Sequence, residues 1–101
     1  MADLNNFVFT GRMVEAAELR YTPGDGIPVA TFSIACNGIK DNDVDFFKCV
    51  AWRNNAERIA DKGEKGKRFA FVGELHIKEF DGKDGKKVKY PEITVSSFRY
   101  L

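Results

Sequence analysis

Apolar and polar residues alternate along most of this chain, which is the pattern of β-strands that turn one face towards a core. Gly11 predicts a bulge or a close approach of two backbones. Pro91 predicts that the last strand begins at a sheet edge or a bulge, because proline has no N–H group for a ladder. The pattern predicts five strands, one helix and a long hairpin loop. In chain order these are a first strand in two parts (5–13 and 19–22), a second strand (29–37), a third strand (45–53), the helix (54–62), a fourth strand (68–80), the loop (80–87) and a fifth strand (88–96).

The helix is predicted from a change of period after the third strand. Ala56 and Ile59 lie at helical spacing and would face the core. Asn54 is predicted as the N-cap, and Glu57 three residues later completes a pattern that resembles a capping box. Gly63 is predicted to end the helix.

The third predicted strand carries an unusual outer face of two rings, a cation and a valine: Phe46, Lys48, Val50 and Trp52. Its opposite face is small or apolar and suits a core: Phe47, Cys49 and Ala51. Rings that stack on bases, beside a cation that meets phosphate, are what a protein needs to bind single-stranded nucleic acid. The alternative is a strand buried on both faces, with Lys48 reaching water along its aliphatic stem.

The fourth predicted strand repeats this mixed pattern. Its inward face is predicted to consist of Phe69, Phe71, Gly73, Leu75 and Ile77. Its outward face is predicted to combine charged, aromatic and imidazole side chains: Glu74, His76, Lys78 and Phe80. Phe80 would then lie where this strand enters the loop to the fifth strand.

The order of the elements predicts a fold class. Five strands with one short helix between the third and the fourth match the all-β OB-fold, a five-stranded Greek-key barrel. That fold binds oligonucleotides across its second and third strands and its hairpin loops. Because a fold does not fix a function, the barrel supports a binding surface at the exposed rings without proving one.

The composition fits one folded domain over residues 1–101. Hydrophobic residues make up 44% of the chain and aromatic residues 13%, which excludes a disordered chain. No apolar run could span a membrane and the N-terminus has no signal pattern, so we expect a cytoplasmic protein with no membrane partner. The formal net charge is only +1, so any phosphate-binding surface requires segregated charges.

Candidate catalytic and metal-binding groups are few. Cys36 and Cys49 are predicted to be buried, reduced thiols, and His76 is the single histidine. No cysteine or histidine cluster has metal-ligand spacing. Three carboxylates alternate in a predicted loop, where a solvated turn is the interpretation: Asp41, Asp43 and Asp45. We therefore expect no catalytic residue, no metal and no cofactor.

Several motifs then carry a family resemblance. The chain reads Phe-Val-Phe-Thr-Gly-Arg at 7–12, Glu-Leu-Arg-Tyr-Thr-Pro at 18–23 and Val-Ala-Thr-Phe-Ser-Ile-Ala at 29–35. It continues with Asp-Phe-Phe-Lys-Cys-Val-Ala-Trp at 45–52 and Val-Gly-Glu-Leu at 72–75. These motifs, in this order, resemble the bacterial and phage single-stranded-DNA-binding proteins over nearly the whole chain.

The resemblance implies a function and a set of contacts. It implies sequence-nonspecific binding of single-stranded DNA, which protects the strand in replication, recombination and repair. Three residues fall where the family stacks bases: Phe46, Trp52 and Phe80. Further residues fall at or near positions that meet the DNA backbone: Arg12, Arg20, Lys48, Arg53 and Lys78. His76 is a further candidate contact, with a half-exposed strand residue as the alternative.

The resemblance also implies a homo-oligomer, with a tetramer built from dimers favoured and a dimer as the alternative. The first strand and the outer sheet surfaces would form the contacts. Family members carry a flexible tail that recruits other proteins, and this chain stops after the last strand, so we expect no such recruitment. A phage, plasmid or truncated version would fit. The second interpretation is a tail-less replication-restart accessory protein of the primosome type.

Overall fold

We describe the protein from a computed structural model, in which residues 1–40 and 42–101 are described. It contains β1 (Phe7–Met13), β2 (Glu18–Tyr21), β3 (Pro28–Asn37), β4 (Val44–Trp52), α1 (Asn54–Lys62), β5 (Arg68–Asp81) and β6 (Lys87–Tyr100). The predicted all-β chain with one short helix is confirmed. β1 and β2 are the two parts of the interrupted first strand.

The strands form one sheet that closes on itself. The hydrogen-bonded order is β1-β5-β6-β4-β3-β2, and β1 also pairs with β3. All neighbouring pairs are antiparallel except β4 and β6, which are parallel. The ring β1-β3-β4-β6-β5-β1 is a five-stranded barrel with β2 added at β3, and it confirms the predicted OB-fold.

Gly11 allows this closure. A β-carbon added at Gly11 would lie 2.6 Å from the carbonyl oxygen of Ala35 and would also collide with the side chain of Ile34. β1 therefore passes between β5 and β3 at a distance that no larger residue permits. The predicted close approach at Gly11 is confirmed.

The core is built from the inward faces of these strands and from α1. Phe9 of β1 stacks on Phe71 of β5 with ring centroids 5.1 Å apart, and Ile59 of α1 is fully buried in the same cluster. Because inward residues alternate with outward ones along β3 and β4, the outer face of these strands is left for other contacts. The largest fully buried side chains are Phe69, Phe71, Met13, Ile34, Ile59, Ile93 and Cys49.

The helix has the predicted length, but its N-terminus differs from the prediction. The N-cap position is Arg53, with no side-chain hydrogen bond that caps the helix, so the predicted cap at Asn54 with Glu57 is wrong. The Asn54 residue is already helical, and the chain enters the helix directly from β4 through Arg53. Gly63 ends the helix as predicted, and its N–H group donates to the carbonyl oxygen of Ile59 at 2.6 Å.

The hairpin of β5 and β6 is longer than predicted. Both strands continue into the predicted loop, which shortens it to residues 82–86. Leu75 and Ile77 keep the predicted face, because Leu75 pairs directly with the fully buried Ile93 and Ile77 follows two residues later. The prediction that they belong to the core is wrong, since they are 36% and 64% exposed. A register shift lies between Val72 and Gly73. The hairpin leaves the barrel beyond Leu75, because its partner Ile93 forms the outermost pair of β6 with β4 among the described residues, at Cys49.

Within the part of the chain that the structure describes, no helix is long and apolar enough to cross a membrane.

Candidate nucleic-acid interface

The outer face of the sheet carries a row of paired residues that runs from Arg12 to Phe46. Arg12 of β1 pairs with Ala35 of β3, and Ala35 pairs with Phe46 of β4. Directly paired residues project from the same face of a sheet, so the buried Ala35 lies in the row between the cation and the ring. Phe46 is 66% exposed. The Arg12 Nη1 group donates to Asn37 Oδ1 at 2.9 Å, which holds the guanidinium on this face.

A second row of the same kind runs from Arg20 to Trp52. Arg20 of β2 pairs with Val29 of β3, and Val29 pairs with Trp52 of β4. Trp52 is 45% exposed. Arg20 forms an ion pair with Glu18, its Nε donating to Oε1 at 2.7 Å, but both side chains are largely exposed. Such a surface pair is worth little, so Arg20 remains available for phosphate.

The two rings lie at opposite ends of β4. Phe46 and Trp52 are six residues apart, or about 20 Å along an extended strand. Lys48 and Val50 point to the same side between them, as the alternation predicts. Val50 is only 5% exposed, so the exposed surface of β4 is divided into two ends. The alternative of a strand buried on both faces is excluded by the exposure of the rings.

Arg53 follows Trp52 in an unusual backbone conformation. Its φ is 60° and its ψ is −128°, a backbone conformation that residues other than glycine rarely adopt. Its N–H group donates to the carbonyl oxygen of Pro28 at 2.9 Å, and its own carbonyl accepts from the N–H of Glu57 at 3.2 Å. These bonds hold the exposed Arg53 side chain at the junction of β4 and α1, next to Trp52.

The outward face of the hairpin carries the remaining predicted contacts. Phe80 is 52% exposed, and Lys78 shares its face two residues earlier on β5. His76 is half-buried, pairs with Glu92 across the hairpin, and has its Nε2 3.3 Å from a carboxylate oxygen of Glu74. His76 therefore lies next to two carboxylates. Of the predicted contacts, it is the one least suited to bind phosphate.

Tyr90 of β6 belongs to this surface and was missed by the sequence analysis. It pairs with Lys78 across the hairpin, and its ring centroid lies 5.7 Å from that of Phe80. The Nζ atom of Lys48 lies 5.1 Å from the centroid of the Tyr90 ring, within the range of a cation–π contact. Tyr90 thus connects β4 with the hairpin. The signal was the alternation within the predicted strand 88–96, whose face opposite Ile93 includes Tyr90.

A cavity on the side of the barrel is unsuited to phosphate. It has a volume of about 410 Å³ and lies between the β1–β2 connection, β3, β4 and β6. Three carboxylates line it, from Glu15, Glu18 and Glu92, with Lys48 at its edge. Like charges repel a DNA backbone, so the exposed rings and not this cavity define the candidate interface.

Among the described residues, the structure does not bring the candidate catalytic groups together. Asp41 lies outside them, so the predicted acidic loop is known only at Asp43 and Asp45, which are both exposed. No group of three or more His, Cys, Asp or Glu residues that could hold a metal ion occurs in 1–40 and 42–101. Cys49 is buried, and burial, with the charge of Glu92, raises the pKa of its thiol to about 12, so the thiol stays protonated and unreactive at neutral pH.

Comparison with known proteins identifies the family of this chain. The Single-strand binding protein family matches residues 4–101. Single-stranded DNA-binding protein 3 of Listeria innocua serovar 6a is 38% identical over 103 residues, which cover 97% of this chain and 64% of that protein. Single-stranded DNA-binding protein 1 of Streptococcus agalactiae serotype III is also 38% identical, with 97% and 63% covered. The single-stranded DNA-binding protein of Bacillus cereus is 36% identical, with 97% and 60% covered.

The chain therefore spans about three fifths of the length of these curated relatives. The family match covers both rows of paired residues, the helix and the whole β5–β6 hairpin. It confirms the resemblance that the motifs indicated, and the chain belongs to the single-strand binding protein family.

Proposed function

We propose that this protein binds single-stranded DNA without regard to sequence, by stacking bases on Phe46, Trp52 and Phe80, and that it acts without catalysis. The observation that carries the proposal is that all three rings are exposed. Phe46 and Trp52 each share a paired row with an arginine, and Phe80 shares its face of β5 with Lys78. A monomeric protein that needed these rings for packing would bury them. In a bacterium or a phage-infected cell, such a protein would protect single strands during replication, recombination and repair in the cytoplasm.

The energies are sufficient for this function. Each base stacked on an aromatic ring is worth roughly 1–3 kcal/mol, so three rings supply on the order of 3–9 kcal/mol per protomer before ordering costs. Arg12, Arg20, Arg53, Lys48 and Lys78 add phosphate contacts that depend on salt. His76 would add little, because Glu74 and Glu92 are its neighbours.

The test uses Trp52, which is the only tryptophan of the chain. Addition of oligo-dT at low salt is expected to quench its fluorescence and to shift the protein in a native gel, because a stacked base alters the surroundings of the indole. Phe46→Ala and Phe80→Ala are each expected to weaken binding by about 1–3 kcal/mol. If the unmodified protein shows no quenching and no gel shift, the proposal is overturned.

Tyr100→Ala is a matched control for Phe80→Ala. Both rings are 52% exposed, but Tyr100 pairs with Phe69 at the opposite end of the hairpin from Phe80. Its removal is expected to leave the affinity for oligo-dT unchanged, provided that circular dichroism shows an intact fold. An equal loss of affinity in both variants would contradict a specific role of Phe80, because any exposed ring would then contribute to binding.

We further propose that the protein is a homo-oligomer assembled through β1. From Phe7 to Gly11 this strand pairs with β5 on one side, while its registered pairs with β3 are at Arg12 and Met13. An unpaired strand edge is a template for another chain, and the exposed Val8 side chain adds apolar surface.

The mass in solution tests the assembly. A tetramer is expected, and a dimer would support the replication-restart alternative. Val8→Lys is expected to shift the mass towards the monomer, because like charges would meet across a symmetric contact. A monomeric unmodified protein would contradict the assembly while leaving DNA binding open to the fluorescence test.

A further inference from the structure

Tyr90 is held between β4 and the hairpin by two neighbours. Its ring meets that of Phe80 at 5.7 Å with an interplanar angle of 59°, and the Lys48 ammonium lies 5.1 Å from its centroid. An aromatic ring held by two neighbours loses little further freedom when a base stacks on it. Tyr90 is therefore arranged as a stacking ring, although neither the motifs nor the paired rows identify it.

A small cavity of about 200 Å³ lies next to Tyr90. Phe46 of β4, Leu75 of β5 and Pro91 of β6 form its walls, and the fully buried Ile93 lies on its inner side. Its volume is below the roughly 300 Å³ at which pockets for drug-sized ligands begin, which restricts it to an occupant with one or two rings.

The cavity exists because β4 and β6 separate at this point. The two strands pair only at Cys49 with Ile93 and at Val50 with Thr94 among the described residues. Pro91 cannot donate a ladder hydrogen bond, and the pairing begins two residues after it. The gap before that point is the cavity.

The lining favours a ligand that combines a planar, largely apolar ring with a negatively charged group. Every described residue of the lining is apolar or aromatic except Lys48. An isolated charge could not be buried against such walls, whereas a planar base could be, with its phosphate next to the Lys48 ammonium. The larger cavity on the other side of Lys48 has three carboxylates and would repel the same ligand.

We infer that this cavity holds one base of the bound strand, stacked on Tyr90, with Phe46 and Phe80 available to the bases on either side. The inference rests on the proposed function and adds a fourth base position to it. It also gives Leu75 a role, since this exposed apolar residue of β5 forms the wall that faces β4.

Two matched variants test the cavity. Leu75→Glu places a carboxylate in the wall, and Ile77→Glu places the same charge two residues further along the same face of β5, outside the lining. Both positions are exposed, so both variants are expected to fold. Affinity for a fluorescein-labelled oligo-dT is measured by anisotropy. It is expected to be lower in Leu75→Glu than in Ile77→Glu by about five-fold or more.

Two further measurements separate a stacked base from a general charge effect. With an abasic strand of the same length, the difference between the two glutamate variants is expected to vanish, because no base can enter the cavity. Tyr90→Phe is expected to keep the affinity for oligo-dT, and Tyr90→Leu is expected to lose about five-fold or more.

The outcomes distinguish this inference from the proposed function. If the unmodified protein binds oligo-dT and the two glutamate variants bind it equally, the cavity holds no base and the proposed function stands. Equal binding by Tyr90→Phe and Tyr90→Leu would likewise overturn the stacking role of Tyr90. If the unmodified protein does not bind oligo-dT, the inference and the proposed function fail together.

Discussion

Arg53 combines a predicted phosphate contact with a strained backbone. In the described part of the chain it is the one non-glycine residue with a positive φ, a conformation that costs on the order of 1–3 kcal/mol. Backbone bonds to Pro28 and Glu57 hold it there. Because the side chain is exposed, we propose that an arginine occupies this position for the phosphate contact it makes.

Arg53→Gly is expected to change stability and binding in opposite directions. Glycine adopts a positive φ without strain, so the free energy of unfolding in urea should rise by about 1 kcal/mol. The affinity for oligo-dT should fall, because one phosphate contact is lost.

Arg53→Ala is the control for this prediction. It removes the guanidinium but keeps a β-carbon, so the affinity should fall as in Arg53→Gly while the stability stays near that of the unmodified protein. A loss of stability in Arg53→Gly would contradict the account of strain at this residue.

At the scale of the elements, the strands and the helix were predictable because their periods are strong. The alternation of β3 and β4 placed Phe46 and Trp52 outside and Cys49 and Ala51 inside, as observed. The helix bounds were also correct, since the Ala56 and Ile59 spacing is helical. The order of these elements was sufficient to predict the barrel.

The errors occurred where tertiary structure overrides the local pattern. Leu75 and Ile77 continue the apolar alternation of β5, but they lie at and beyond the outermost pair of β6 with β4, where the hairpin leaves the barrel. Nothing in the sequence indicates where a hairpin leaves a core. The helix cap failed for a related reason: β4 runs straight into α1 through Arg53, so no residue with an extended backbone is left to cap it.

The missed ring of Tyr90 follows from the same limit. Its place opposite Lys78 depends on the hairpin register, which a sequence fixes only when the turn is known. Tyr90 lay within the predicted strand 88–96, but the predicted loop at 80–87 was three residues longer than the observed loop at 82–86, so the residue opposite Tyr90 could not be identified. Rows such as Arg12 with Phe46 are equally invisible, because they join strands that are distant in the chain.

At the scale of the whole molecule, binding must depend on where the charges lie, because their sum is only +1. The carboxylates of Glu15, Glu18 and Glu92 collect at the large cavity. Of the predicted contact cations, Lys48 lines this cavity and Arg20 pairs with Glu18, whereas Arg12, Arg53 and Lys78 are not in its lining. We propose that this partial separation of charges gives a nearly neutral protein a cationic path for a strand of DNA.

The dependence of affinity on salt measures that path. If about four cations per protomer meet phosphates, the logarithm of the binding constant should fall with the logarithm of salt concentration with a slope near −3, at about −0.7 for each contact on a single strand. Arg20→Gln should reduce the magnitude of the slope by about 0.7. Lys62→Gln, on the exposed end of α1, makes the same change in net charge and should leave the slope as it is. Titrations of oligo-dT at a series of NaCl concentrations give both values, and an equal reduction in the two variants would show that net charge, and not the face of β3 and β4, controls the binding.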